Sequence, residues 1–215
     1  MQATPAALDE LRRFGVPVPA LAIGDRVAHG WNPEAYARLL GIPYEPPRRL
    51  PPHDLARRLD QVLEATHALV QRFDRAQMDH RPPERDRTVR DLAFHVFRLS
   101  LACIDGMDKG HMPHEWLGEK APADLVDGPS VARYGALARG RLQGWFAGAG
   151  GDEYARVVDV YYGPQTGHEL LERTTWHAAQ HLRQLHALAG RLGVVPPATP
   201  LAELFADLPM PAAVW

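Results

Sequence analysis

Four separate runs of this chain carry apolar residues at three- and four-residue spacing, a period that only an α-helix gathers into one buried stripe. The first contains Leu55, Leu59, Val62, Leu63, Thr66, Leu69, Val70 and Phe73. The second opens at Thr88-Val89-Arg90-Asp91, which has the form of a capping box, and continues through about Asp108 with Leu92, His95, Val96 and Leu99 on its inner face. A third, weaker run covers Ser130 to Phe146, and a fourth, long one extends from Gln165 to Leu192 and ends at Gly193. Such stripes are buried against one another, so the spacing predicts a mainly α protein.

The segments between these runs divide the chain. Pro43 to Pro52, with Pro46-Pro47 and Pro51-Pro52, cannot continue a helix and reads as a semi-rigid extended connector. The expected boundary therefore separates residues 1–45 from a bundle over 46–195, followed by a tail over 196–215. In the first unit, Ala6 to Phe14 reads as a helix. Ala20 to Ile23 and Arg26 to Ala28 read as short strands around Gly24-Asp25, and Asn32-Pro33 opens a helix to Leu40. Asp108 to Gly128 is an irregular stretch of the length that often carries functional elements or covers a site. The β-branched and aromatic run Ala155 to Tyr162 favours an extended conformation. The tail's Leu201, Leu204, Phe205, Leu208, Val214 and Trp215 are apolar enough to fold back over the bundle, where they could shape a pocket mouth or simply pack.

Bulk properties remove some functions. A formal net charge of −2, with arginines scattered among acids, offers no field for phosphate backbones, so nucleic acid is not an expected partner. Cys103 is the single cysteine and lies in an apolar helical run, where it reads as a small buried hydrophobe; a reducing cytoplasm fits this usage. Met1 to Glu10 has neither a basic n-region nor an apolar h-region, and no apolar run approaches the roughly 18 residues needed to cross a bilayer. The expectation is a soluble, unexported protein with no membrane partner.

The chemistry concentrates in histidine. His177 and His181 are four apart on the fourth run, one helical turn apart on the same face, the spacing at which two imidazoles chelate one metal ion. Among 11 histidines such a pair arises readily by chance, and packed or exposed rings account for most of them. His95 changes the odds, because it falls on the apolar stripe of the second run, where an unsatisfied ring would cost free energy. If the second and fourth helices are neighbours, one divalent ion satisfies His95, His177 and His181 together. Asp91, one turn before His95, could orient that ring or serve only as the third residue of the capping box. Gln184, near His181, could act behind the ligand or be a polar residue at a helix edge. His186 is turned away from His181, and His53, His67 and His80 lie in loops or off the apolar stripe. His111 or His114, in the long loop, could approach the metal.

Other catalytic patterns are missing. The zincin motif needs Glu directly after the first histidine, where this chain has Ala178. The sequence has no glycine-rich phosphate loop and no Gly-x-Ser-x-Gly elbow. Trp176 reads as packing beside His177.

Asp91-Leu92-Ala93-Phe94-His95 and Trp176-His177-Ala178-Ala179-Gln180-His181-Leu182-Arg183-Gln184-Leu185 resemble the two signatures of the DinB-like superfamily of metal-binding helical bundles. The resemblance covers roughly residues 52 to 193. It implies an up-down four-helix bundle in which one histidine of the second helix and two of the fourth, here His95, His177 and His181, hold a divalent ion, zinc or nickel, with water at the open positions. It also implies a frequent homodimer. Characterised members include S-transferases and isomerases that use a low-molecular-weight thiol such as bacillithiol or mycothiol. Residues 1–42, especially Val16 to Asp25 and Gly30 to Pro33, are similar to the C-terminal half of a glutaredoxin, with Pro19 at the position of its cis-proline. The half that would carry Cys-x-x-Cys is missing, so thiol-disulfide exchange is not expected.

Two functions follow as expectations. One is a metal-dependent enzyme, an S-transferase or a hydrolase, in which a dication held by neutral imidazoles lowers the pKa of water or a thiol and so acts on a small-molecule substrate. The other is a non-catalytic metal-binding or interaction protein with a structural or vestigial site. No general base is evident from the residues.

Overall fold

The computed structural model describes residues 9, 12–16, 20–30, 32–46 and 48–215. The helix expected over Ala6 to Phe14 falls largely outside the described residues, although 12–14 are helical, and Pro19 lies outside them. Strands β1 (Ala20–Ile23) and β2 (Arg26–His29) pair antiparallel around Gly24-Asp25. Helix α1 (Pro33–Leu40) follows, with proline in its first turn where no N–H partner is needed; the Asn32 side chain accepts the Ala35 amide at 3.0 Å. Gly30 joins this hairpin to the rest of the fold. Its φ is +82°, and a Cβ there would lie 2.0 Å from the Tyr162 carbonyl oxygen, a backbone atom that cannot rotate away.

Helix α2 (Pro52–Val70) starts inside the proline-rich connector, because Pro52 occupies the first turn, where a ring that fixes φ favours the helix. It stops at Val70 and does not reach Phe73. Asp74 and Gln77 instead form a reciprocal capping box that opens a short helix, α3 (Arg75–Asp79), which the apolar periodicity did not reveal. Helix α4 (Val89–Lys109) begins at Thr88, whose hydroxyl accepts the Asp91 amide at 3.0 Å, and ends at Gly110 in the left-handed conformation.

The long irregular stretch contains regular structure. β3 (His111–Met112) and a 3-10 turn (His114–Leu117) follow α4, and β3 pairs parallel with β4 (Val157–Val160). β5 (Gly163–Thr166) pairs antiparallel with β4, giving the order β3-β4-β5. β5 thus takes Gln165 and Thr166, which the sequence assigned to the fourth helix. Thr166 becomes the N-cap of α7 (Gly167–Arg191) through a capping box with Glu169. Between lie α5 (Gly128–Gly148), capped by Asp127, and α6 (Gly151–Ala155); α8 (Leu201–Phe205) lies in the tail.

The four long helices pack in a ring: α2 against α7 and α5, and α4 against the same two. Their inner faces supply fully buried Leu55, Leu59, Leu63, Phe97, Ile104, Leu171, Leu182 and Leu185, each large side chain stabilising the fold by about 1.5–3 kcal/mol relative to exposure. The weak pattern of α5 has a packing cause. A Cβ at Gly135 would sit 2.4 Å from the Phe97 ring, so close approach of α5 to α4 replaces side-chain interdigitation there. Gly135→Ala is expected to destabilise the protein by about 1–3 kcal/mol through overpacking. The measurement is the urea midpoint at unchanged slope; an unaltered midpoint would show that Phe97 relaxes freely. The chain is mainly helical with a small sheet region, and none of its described helices is long and apolar enough to cross a membrane.

Candidate metal centre

Because α4 and α7 are neighbours, the stripe of one meets the histidine face of the other. The nitrogens that His95, His177 and His181 can offer a metal all lie within 4.8 Å of one another. Ring centroids are 5.7 Å apart for His95 and His177, 5.2 Å for His95 and His181, and 4.4 Å for His177 and His181. His95 and His181 are buried at 5% and 9% exposure, while His177 is partly exposed. The cluster opens on a cavity of about 520 Å³ whose lining includes Arg87, Leu92, Leu117, Leu188 and Trp215.

Burial holds the rings neutral. It pushes the His95 imidazolium down to about 2 and that of His181 to about 4, and lowers His177 well below the usual histidine range. Repulsion between the rings, and from the Arg87 guanidinium, which acts on all three, adds to the effect. At neutral pH each ring therefore keeps a free lone pair, the form a metal requires.

The tautomer of His181 is fixed by a relay. The Gln184 amide nitrogen donates to the Val214 carbonyl at 2.8 Å, which orients the amide so that its oxygen faces His181 Nδ1 at 2.7 Å. Nδ1 must then carry the proton and donate it. Nε2 is left as a bare acceptor, and it is buried with no hydrogen-bond partner. A buried, unpartnered nitrogen among two further imidazoles fits a divalent ion, which would satisfy all three at once.

Gln184 thus lies directly behind His181. Asp91 does not take the corresponding place behind His95. Its amide is bound by Thr88, and its carboxylate accepts the Ala121 amide at 3.1 Å, tying the loop after the 3-10 turn to α4. That is why the capping box is incomplete: the carboxylate has a partner other than the Thr88 amide. His114 lines the cavity but packs edge-on against Tyr161 at 4.8 Å, and neither it nor His111 belongs to the cluster. His186 stands apart from the cluster, with a buried Nε2 that has no partner. Cys103 is buried, which pushes its thiol up to about 12, so it supplies no thiolate at neutral pH.

The sequence reading missed three contributors. Gln180 and Arg183 donate to the carbonyls of Ala213, Val214 and Pro211, holding the tail against α7. Arg87 stands at the cavity, in the polar stretch Arg81 to Arg87 that also contains Pro82-Pro83.

The model of the DinB superfamily matches residues 58–185, more than half of the chain, and the chain belongs to that family. Among solved structures, a DinB-like protein (YjoA) from Bacillus subtilis is similar in fold, with a TM-score of 0.54 at 14% identity, covering 66% of this chain and 94% of that one. No curated protein matches the chain.

Proposed function

We propose that this protein is a divalent-metal-dependent enzyme in which His95, His177 and His181 hold the ion, zinc or nickel, within a DinB-type up-down four-helix bundle. The observation that carries the reading is the buried, unpartnered Nε2 of His181, made an acceptor by Gln184 and placed beside two further neutral imidazoles. A dication bound by neutral rings keeps its full charge and makes a coordinated water or thiol more acidic. Leu92 and Leu188 line the cavity on which the three rings open, and their apolar side chains limit water there while the rings stay accessible from it. Three protein ligands beside such a cavity favour an exchangeable coordination position over the closed, four-ligand arrangement of a structural site.

The substrate is then a small molecule, acted on by S-transfer from a low-molecular-weight thiol or by hydrolysis. The protein works in the cytoplasm as a homodimer, with residues 1–45 as a truncated glutaredoxin-like segment that docks a thiol or a second copy. The deciding experiment is elemental analysis of the purified wild type beside His177→Ala and His181→Ala. The expected result is near one equivalent of metal in the wild type and loss of most of it in both variants. Equal metal content in all three proteins would overturn the reading.

A further inference from the structure

The loop over 80–88 is rich in charge, and its acids are already engaged. Glu84 pairs with Arg191 at 2.7 Å and Asp86 with Arg81 at 2.6 Å, while Asp79, just before the loop, pairs with Arg90 at 3.4 Å. Arg85 and Arg87 are left over. Neither makes an ion pair or a side-chain hydrogen bond among the described residues, and both line the cavity that holds the histidine cluster. Arg87 is half-buried, so its guanidinium has given up part of its water without gaining a carboxylate; the opposing charge acting on it is Asp91, whose oxygen is bound to the Ala121 amide.

The same cavity receives the positive end of the 21-residue helix α4, since Thr88, its N-cap, is on the wall. The guanidinium of Arg173, on α7, also acts electrostatically on His177. Asp86 also lines the cavity, but its carboxylate is already paired with Arg81. The cavity lining also has apolar members, Leu92, Leu117, Leu188 and Trp215, the last with its ring covered by Arg191. A cavity that combines a planar fork of donors with apolar side chains suits a molecule with an oxyanion at one end and a flat or aliphatic body at the other.

We propose that the cavity binds a small organic oxyanion, a carboxylate or a phosphate monoester with an apolar body, with Arg87 holding the anionic group and Arg85 reinforcing it from the mouth. This deepens the metal-dependent reading by giving its substrate a chemical class, and it rests on that reading only for the reaction. Leu188 and Trp215 accommodate the apolar body in the cavity they share with the three histidines.

Calorimetric titration of the protein, metal-free and metal-loaded, with benzoate, phenyl phosphate and benzamide tests it. These probes share one ring and differ in charge. At least one anion is expected to bind tenfold or more tightly than benzamide, already in metal-free protein, and whichever anion prevails assigns carboxylate or phosphate. Arg87→Gln is expected to abolish the discrimination and Arg87→Lys to restore part of it, since the charge remains and the fork is lost. Equal binding of benzamide and the anions, discrimination unchanged in Arg87→Gln, or binding of none of the three at millimolar concentration overturns the proposal. If the metal analysis fails while the metal-free protein still selects anions through Arg87, the oxyanion pocket stands and only the metal-dependent reading falls.

Discussion

Metal-free protein is expected to lose on the order of 5 kcal/mol of stability between pH 6.5 and 4.5, a large fraction of what a domain of this size has in total. In the unfolded chain a histidine takes up its proton near pH 6.5. In the folded protein, burial holds His95 down to about 2 and His181 down to about 4. Below pH 6.5 the unfolded state therefore binds protons that the native state refuses, and each buried ring removes about 1.4 kcal/mol per pH unit. The stability is complete above pH 6.5 and falls as the solution is acidified toward the folded-state values. Half-buried His186, also lowered, acts in the same sense. Carboxylates titrate mostly below this window, so urea unfolding at pH 7, 6, 5.5 and 5 isolates the histidines. The double variant His95→Gln/His181→Gln should lower the slope, with His177, also held well below the usual histidine range, supplying what remains. An identical slope in wild type and variant would show that the rings protonate in the folded state without penalty.

The second large effect concerns Gln184, which touches no metal. Gln184→Leu deletes the acceptor that holds the proton on His181 Nδ1, leaves that N–H buried without a partner, and cuts the bond to Val214. The ring is then free to turn or to place its proton on Nε2, the nitrogen needed for coordination. Metal affinity is expected to fall about 10–100-fold, the range found when the partner behind a ligating histidine is removed. Competition with a chromophoric zinc chelator measures it, with far-UV circular dichroism as the check on folding. Unchanged affinity in a folded variant would mean that helix packing alone orients the ring.

The parts of this protein that could be read in advance are those written in local periodicity. The stripe beginning at Leu55 and the stripe carrying His95 each gave a helix, because burial of one face leaves a regular trace in the residues. His177 and His181 could be placed on one face for the same reason. Their meeting with His95 rested on α4 and α7 being neighbours, a fact about packing that periodicity does not contain but family signatures do. β3 and β5 were invisible, since a two-residue strand and Gly163-Pro164-Gln165-Thr166 carry no alternating pattern and form only by pairing with β4. Asp91 shows the opposite failing. Its position one turn before His95 suggested a role in orienting that ring, yet a backbone amide thirty residues further along the chain holds its carboxylate. The surplus of Arg87 could not be read either, because an unpaired charge is recognised only after every neighbouring acid has been assigned a partner.

The hydrogen bonds that fasten the tail to α7 end on its peptide oxygens: those of Pro211, Ala213 and Val214 receive Gln180, Arg183 and Gln184. Every amino acid provides such an oxygen, so the identities of Ala213 and Val214 are free to drift while the support they give His181 persists. Shifting this strip by a single position would present the wrong oxygens to Gln180, Arg183 and Gln184 and undo that support. In relatives, what should persist is thus the spacing of the strip and its polar clasps on α7, rather than its letters.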